Sequence, residues 1–238
     1  MNKKLTIVLR TNVTLYFICL VLFALAAIPF DVRLAIGEGV AAVSVITPSY
    51  WRMSQEALYR HYASVIHATT LPVFAYNLPQ NTGNNLDPET VGKLYRQEGL
   101  AGAKDSCAVW ENTKGYMDQV DDGFCMLVGE DTLCLEGLKY GSKGSISAPS
   151  NAYTYVMAAI YNRFVAGDLE GAQQAQDDWN FIIRRFNAVG AFPGSFKLTT
   201  SRLTSDVGPA RAPVLPADEA KLNELLPELE AVAAKYRP

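Results

Sequence analysis

The chain has 238 residues, of which 49% are hydrophobic and 19% charged, with a formal net charge of −3. This length suits one large domain, and the composition supports a sizeable core, which excludes a disordered chain. The charge leaves no basic footprint for nucleic acid, so nucleic acid is not expected as a partner.

Residues 1–31 differ from the rest. Lys3, Lys4 and Arg10 precede Val13–Phe30, a stretch almost free of polar groups, and Ala24-Leu25-Ala26 resembles a small-residue cleavage site. Four readings stand open. The stretch is a signal peptide, a single membrane anchor of about 18 residues, a buried replacement element with Lys4–Leu9 as a strand, or a misassigned start. Membrane contact through residues 1–30 follows from the second. The remainder reads as a cytoplasmic enzyme.

From residue 38 onward, short apolar runs alternate with amphipathic segments. The runs are Ala42–Ile46, Leu71–Tyr76, Leu100–Ala103, Phe124–Val128 and Gly144–Ala148. Each is uniformly apolar and bounded by turn residues, which predicts strands buried on both faces of a parallel sheet. Helices are expected between them. Ser54–His67 has Ser54 as N-cap, and Asp87–Glu98 has Asp87 as cap with Pro88 at the first helical position. Val109–Val120 and Thr132–Leu138 continue the alternation, so the fold class is α/β. The rhythm then gives way to helices over Asn151–Ala166, Leu169–Ala188, Phe196–Leu203 and Asp218–Tyr236.

His61 and His67 lie six residues apart on one predicted helix and do not share a face. Cys19, Cys107, Cys125 and Cys134 form no CxxC pair and no zinc-like spacing. They read as small buried hydrophobes in a reducing compartment.

In a parallel βα array, functional groups gather at the carboxyl ends of the strands. Those ends carry Thr47, Tyr50, Tyr76, Asn77, Lys104, Asp105, Glu130, Asp131 and Ser147. Lys104 follows the small apolar run Gly99–Ala103, where an ammonium ion is poorly solvated. As a neutral amine it can attack a ketone and form an imine. The alternative is a structural ion pair with Asp105 or Glu130. Tyr76 is either a proton relay or a core tyrosine. Glu130-Asp131 is either an acid/base pair or the start of a helix.

At this point the motifs resemble a family. Thr47-Pro48-Ser49-Tyr50, Tyr76-Asn77-Leu78-Pro79-Gln80-Asn81-Thr82-Gly83, Gly102-Ala103-Lys104-Asp105-Ser106, Gly129-Glu130-Asp131 and Gly144-Ser145-Ile146-Ser147 are similar, in order and spacing, to motifs of the dihydrodipicolinate synthase/N-acetylneuraminate lyase family. The resemblance covers roughly residues 32–238. It implies a (βα)8 TIM barrel with extra C-terminal helices, and a pyruvate-handling class I aldolase or lyase that assembles as a homodimer or tetramer. It implies that Lys104 forms the imine, that Tyr76 relays protons, and that Tyr50 reaches into the neighbouring subunit's site. Ile146 then presents its carbonyl to the substrate, with Thr47, Asn81 and Glu130 as further substrate contacts. No metal or organic cofactor is implied, because the imine is the electron sink.

Two departures qualify the resemblance. Asn81 occupies the region where dihydrodipicolinate-forming members carry an arginine, and a neutral amide cannot replace that bidentate donor. A hydroxylated or deoxy sugar keto acid is therefore expected over aspartate semialdehyde. Five strands are recognisable, corresponding to strands 4–8 of the barrel, and no GTTGE-like loop is found; Thr11 and Thr14 are poor substitutes. The expected division is an apolar leader at 1–31, a partial barrel at 32–148, and the last barrel helix with a helical tail at 149–238. With the carboxylate-holding loop missing, weak turnover is expected. The alternative function is an inactive binding or assembly subunit.

Overall fold

Each of the five apolar runs overlaps a strand in the computed structural model of the chain, which describes residues 39–237. The readings made of residues 1–31 fall outside the described residues. Strands β1 (Val43–Ile46), β2 (Val73–Asn77), β3 (Gly102–Asp105), β4 (Cys125–Val128) and β5 (Gly144–Ser145) lie side by side in sequence order. Every neighbouring pair is parallel, which requires a crossover between strands. The crossovers contain helices α1 (Gln55–His67), the single turn α2 (Pro79–Thr82), α3 (Pro88–Glu98), α4 (Trp110–Asp118) and α5 (Cys134–Tyr140). This is the succession of βα units that builds a (βα)-barrel wall.

The apolar run at 100–103 marks the third strand two residues early. Pairing depends on the backbone, so β3 continues through Lys104 and Asp105, which sit opposite Tyr76 and Asn77 of β2.

The expectation of strands buried on both faces holds fully for one face of the described strands and in part for the other. Val73, Ala75, Ala103, Met126 and Val128 are fully buried, and all but Val128 share a core with Leu58, Tyr62 and Val65 of α1, Val91 and Leu94 of α3, and Tyr116 of α4. Phe74, Tyr76, Lys104, Cys125 and Leu127 alternate with them and are only half-buried. In a barrel the helices cover one face, and successive side chains of a strand take opposite faces. The less covered face is the one that carries Tyr76 and Lys104.

Ser54 caps α1, its Oγ accepting from the Ala57 N–H at 3.3 Å. Asp87 precedes α3 as expected but does not cap it with its side chain; its Oδ1 accepts from Asn85 Nδ2 at 3.1 Å instead.

Beyond β5 lie α6 (Thr154–Val165), α7 (Leu169–Val189), α8 (Gly194–Leu203) and α9 (Glu219–Ala233). They form a second core around Tyr153, Ile160, Trp179, Phe186, Leu222 and Leu229, which also takes in Leu135 and Leu138 of α5. No helix among the described residues is long and apolar enough to cross a membrane.

Candidate active site at the strand ends

Tyr76 and Lys104 are register partners on adjacent strands. Both project to the less covered face, and Lys104 Nζ lies 4.3 Å from the centroid of the Tyr76 ring. Gly129, which follows β4, packs its bare Cα beside Lys104. A Cβ there would lie 2.8 Å from Lys104 Cε and 2.0 Å from Ser106 Oγ. On β3 itself, Gly102 passes under the Phe74 ring, whose Cε1 would lie 2.4 Å from an added Cβ.

Neither neighbouring carboxylate pairs with Lys104. Asp105 points to the opposite, helix-covered face, as strand alternation requires. It is fully buried, and five donors satisfy it. Oδ1 accepts from Asn77 Nδ2 at 2.9 Å and from the Cys107 N–H at 3.1 Å. Oδ2 accepts from Thr113 Oγ1 at 2.7 Å, Asn112 Nδ2 at 3.1 Å and Cys107 Sγ at 3.2 Å. Burial and the Asp105 charge push the Cys107 thiol up to about 12, so it is a donor here and not a nucleophile. Glu130 caps the 3-10 turn Asp131–Leu133, its Oε1 accepting from the Thr132 N–H at 3.3 Å and from Thr132 Oγ1 at 3.0 Å.

Asp131 is the perturbed acid of the region. Burial raises its pKa to about 6, against hydrogen bonds from Ser147 and Trp179 that lower it. Trp179 Nε1 donates to Oδ1 at 3.4 Å. Trp179 lies 48 residues further on, and nothing in the local sequence announces it.

The remaining expected site residues divide by position. Ile146 follows β5, half-buried, its N–H donating to Val128 O at 2.9 Å. Asn81 stands exposed on α2. Thr47 is fully buried, and its hydroxyl donates to Thr82 Oγ1 at 2.8 Å, so it braces the loop. Tyr50 is 82% exposed, with its ring edge-on to Trp51 at 5.1 Å. The structure brings Lys104, Tyr76 and Gly129 together and turns Tyr50 outward. Among the described residues, no three His, Cys, Asp or Glu side chains gather as metal ligands.

Fold and site placement define a class: a (βα)-barrel protein whose polar groups stand at the carboxyl ends of its strands. The chain belongs to the dihydrodipicolinate synthetase family, whose sequence model matches residues 32–232. It is 35% identical over 139 residues to 4-hydroxy-tetrahydrodipicolinate synthase of Syntrophus aciditrophicus, covering 58% of this chain and 48% of that protein. It is 34% identical over 199 residues to the same-named protein of Anaeromyxobacter dehalogenans, covering 82% of this chain and 66% of that one. The chain thus spans about half to two thirds of the length of these relatives. Among solved structures, a prophage protein of the dihydrodipicolinic acid synthase family from E. coli K12, in complex with pyruvate, superposes with a TM-score of 0.79 at 25% identity. That match covers 88% of this chain and 71% of the other.

Proposed function

We propose that the protein is a class I aldolase or lyase in which Lys104 forms an imine with pyruvate or another 2-keto acid. The observation that carries this reading is Lys104 Nζ at 4.3 Å over the Tyr76 ring, with Asp105 and Glu130 both engaged elsewhere. The pyruvate complex of the E. coli relative supports the substrate class.

In this reading the Lys104 amine adds to the keto carbon, and the carbinolamine loses water to give the imine. The imine draws electrons from the adjacent carbon, so a C–H bond loses a proton or a C–C bond cleaves to leave an enamine. The enamine attacks an aldehyde in the condensing direction, and hydrolysis returns the lysine. No further cofactor is required. Tyr76 moves protons between imine, substrate oxygen and solvent. Ile146 and Glu130 line the substrate side. Tyr50 is exposed and serves a second copy, which makes the working unit a homodimer or a tetramer of dimers. Asn81 offers a neutral amide where a carboxylate-bearing aldehyde needs a charged donor, which favours a hydroxylated keto acid.

Borohydride reduction with pyruvate tests the reading: a mass increase is expected on the peptide containing Lys104 and is absent in Lys104→Arg. A folded sample without the adduct overturns it and leaves a binding or assembly role. Comparing cleavage of 2-keto-3-deoxy sugar acids with condensation onto aspartate semialdehyde then decides the substrate.

A further inference from the structure

The loop after β1 is clasped by one buried amide. Asn84, 4% exposed, sits in the loop after α2. Its Nδ2 donates to Pro48 O at 2.7 Å and to Trp51 O at 2.8 Å, and its Oδ1 accepts from the Met53 N–H at 2.7 Å. Three of its four hydrogen-bonding positions thus grip the backbone on both sides of Tyr50. Its own carbonyl accepts from Thr82 Oγ1 at 3.2 Å, and Thr82 Oγ1 in turn accepts from Thr47 Oγ1 at 2.8 Å, which ties the clasp to the end of β1.

Within the clasp Tyr50 holds φ +80°, a left-handed conformation that disfavours any residue with a Cβ. Tyr50 is exposed and Trp51 is 67% exposed, so little side-chain burial compensates. A bulky residue keeps such a conformation only where its surroundings over-determine it, and here the surroundings are the Asn84 side chain.

We infer that Asn84 is a positioning residue: it fixes the 48–53 turn so that Tyr50 projects outward in a set direction, and it acts on the reaction through Tyr50. This inference rests on the imine reading and its relay tyrosine. It adds a residue that lies outside the strand-end motifs and holds one of them, Thr47-Pro48-Ser49-Tyr50, from the next loop.

Two variants test it on the full chain. Asn84→Asp is nearly isosteric and keeps the acceptor for Met53, but it loses the donor to Pro48 and Trp51. Asn84→Ser removes the arm without burying a charge and serves if Asn84→Asp does not fold. Amide hydrogen exchange is expected to show the 48–53 segment losing at least about tenfold in protection while β3 stays unchanged. Exchange of pyruvate methyl protons with D2O reads proton transfer without needing the aldehyde. Its rate is expected to fall by the same factor in N84D as in Y50F, on the order of 10²-fold. The double variant is expected to be no slower than Y50F alone, because both act through one side chain. The borohydride adduct at Lys104 is expected to persist throughout. Unchanged protection at 48–53 overturns the inference alone, as does a full additional loss of rate in the Y50F background. Absence of both adduct and proton exchange in the unmodified chain overturns the imine reading and takes the relay part of this inference with it.

Discussion

A single methyl group at position 129 has nowhere to go. Gly129→Ala sets a Cβ against Ser106 Oγ and Lys104 Cε, so one of them must move. Overpacking of this kind costs about 1–3 kcal/mol. The expected outcome is a lowered melting temperature together with a weaker borohydride adduct at Lys104, read on the same sample. Asp131 gives a pH signature. Its folded pKa of about 6 lies above the ordinary 3.8. The stability linked to its protonated form is therefore complete below the ordinary value and is lost as pH rises through about 6. Relative to Asp131→Asn, the unmodified chain is expected to lose on the order of 1–2 kcal/mol between pH 4 and pH 7, allowing for partial exposure. Denaturant melts of both proteins at the two pH values check this. At this scale Lys104 and Tyr76 were legible because strand ends in a parallel array follow one rule. Asn84 and Trp179 were not, because their partners lie 31 to 48 residues away in sequence. Thr47 was legible as a strand-end hydroxyl but not as a buried brace, since burial depends on the loop that covers it.

The elements follow from local chemistry. Short uniformly apolar runs marked the five strands found among the described residues, and capping residues gave the helix starts at Ser54 and Asp218, the latter accepting from the Lys221 N–H at 2.9 Å. Asp87 shows the limit: its position marks the start of α3, but Asn85 competes for its carboxylate. Helix ends obey the same chemistry. Gly99 closes α3 at φ +82°, with nothing within 4 Å of where a Cβ would stand. Gly99→Ala is therefore expected to cost about 1 kcal/mol from conformation alone, with no change in the site. A melting series with unchanged Lys104 trapping checks this. The single turn α2 escaped a sequence reading because four residues carry no helical periodicity.

Two cores make up the described part of the molecule, one between the first strands and their helices, the other among the C-terminal helices. Gln176 of α7 joins the helical tail to the strand-end site. Its Oε1 accepts from the Leu135 N–H at 2.9 Å, and its Nε2 donates to Asp131 O at 3.0 Å. Gln176→Leu fills similar space but leaves a buried N–H without its partner. A loss of about 2–3 kcal/mol is expected in denaturant unfolding, with the Asp131 turn losing amide protection first. By itself the sequence determined the βα alternation, the family motifs and the strand-end lysine, because each is written in residues close together along the chain. Only the tertiary structure decided that Lys104 lies over Tyr76 while Asp105 turns away, that Thr47 is enclosed, and that Tyr50 is held outward. Those outcomes depend on strand register, on the alternation of side chains across the sheet and on contacts between distant loops, none of which a linear pattern contains.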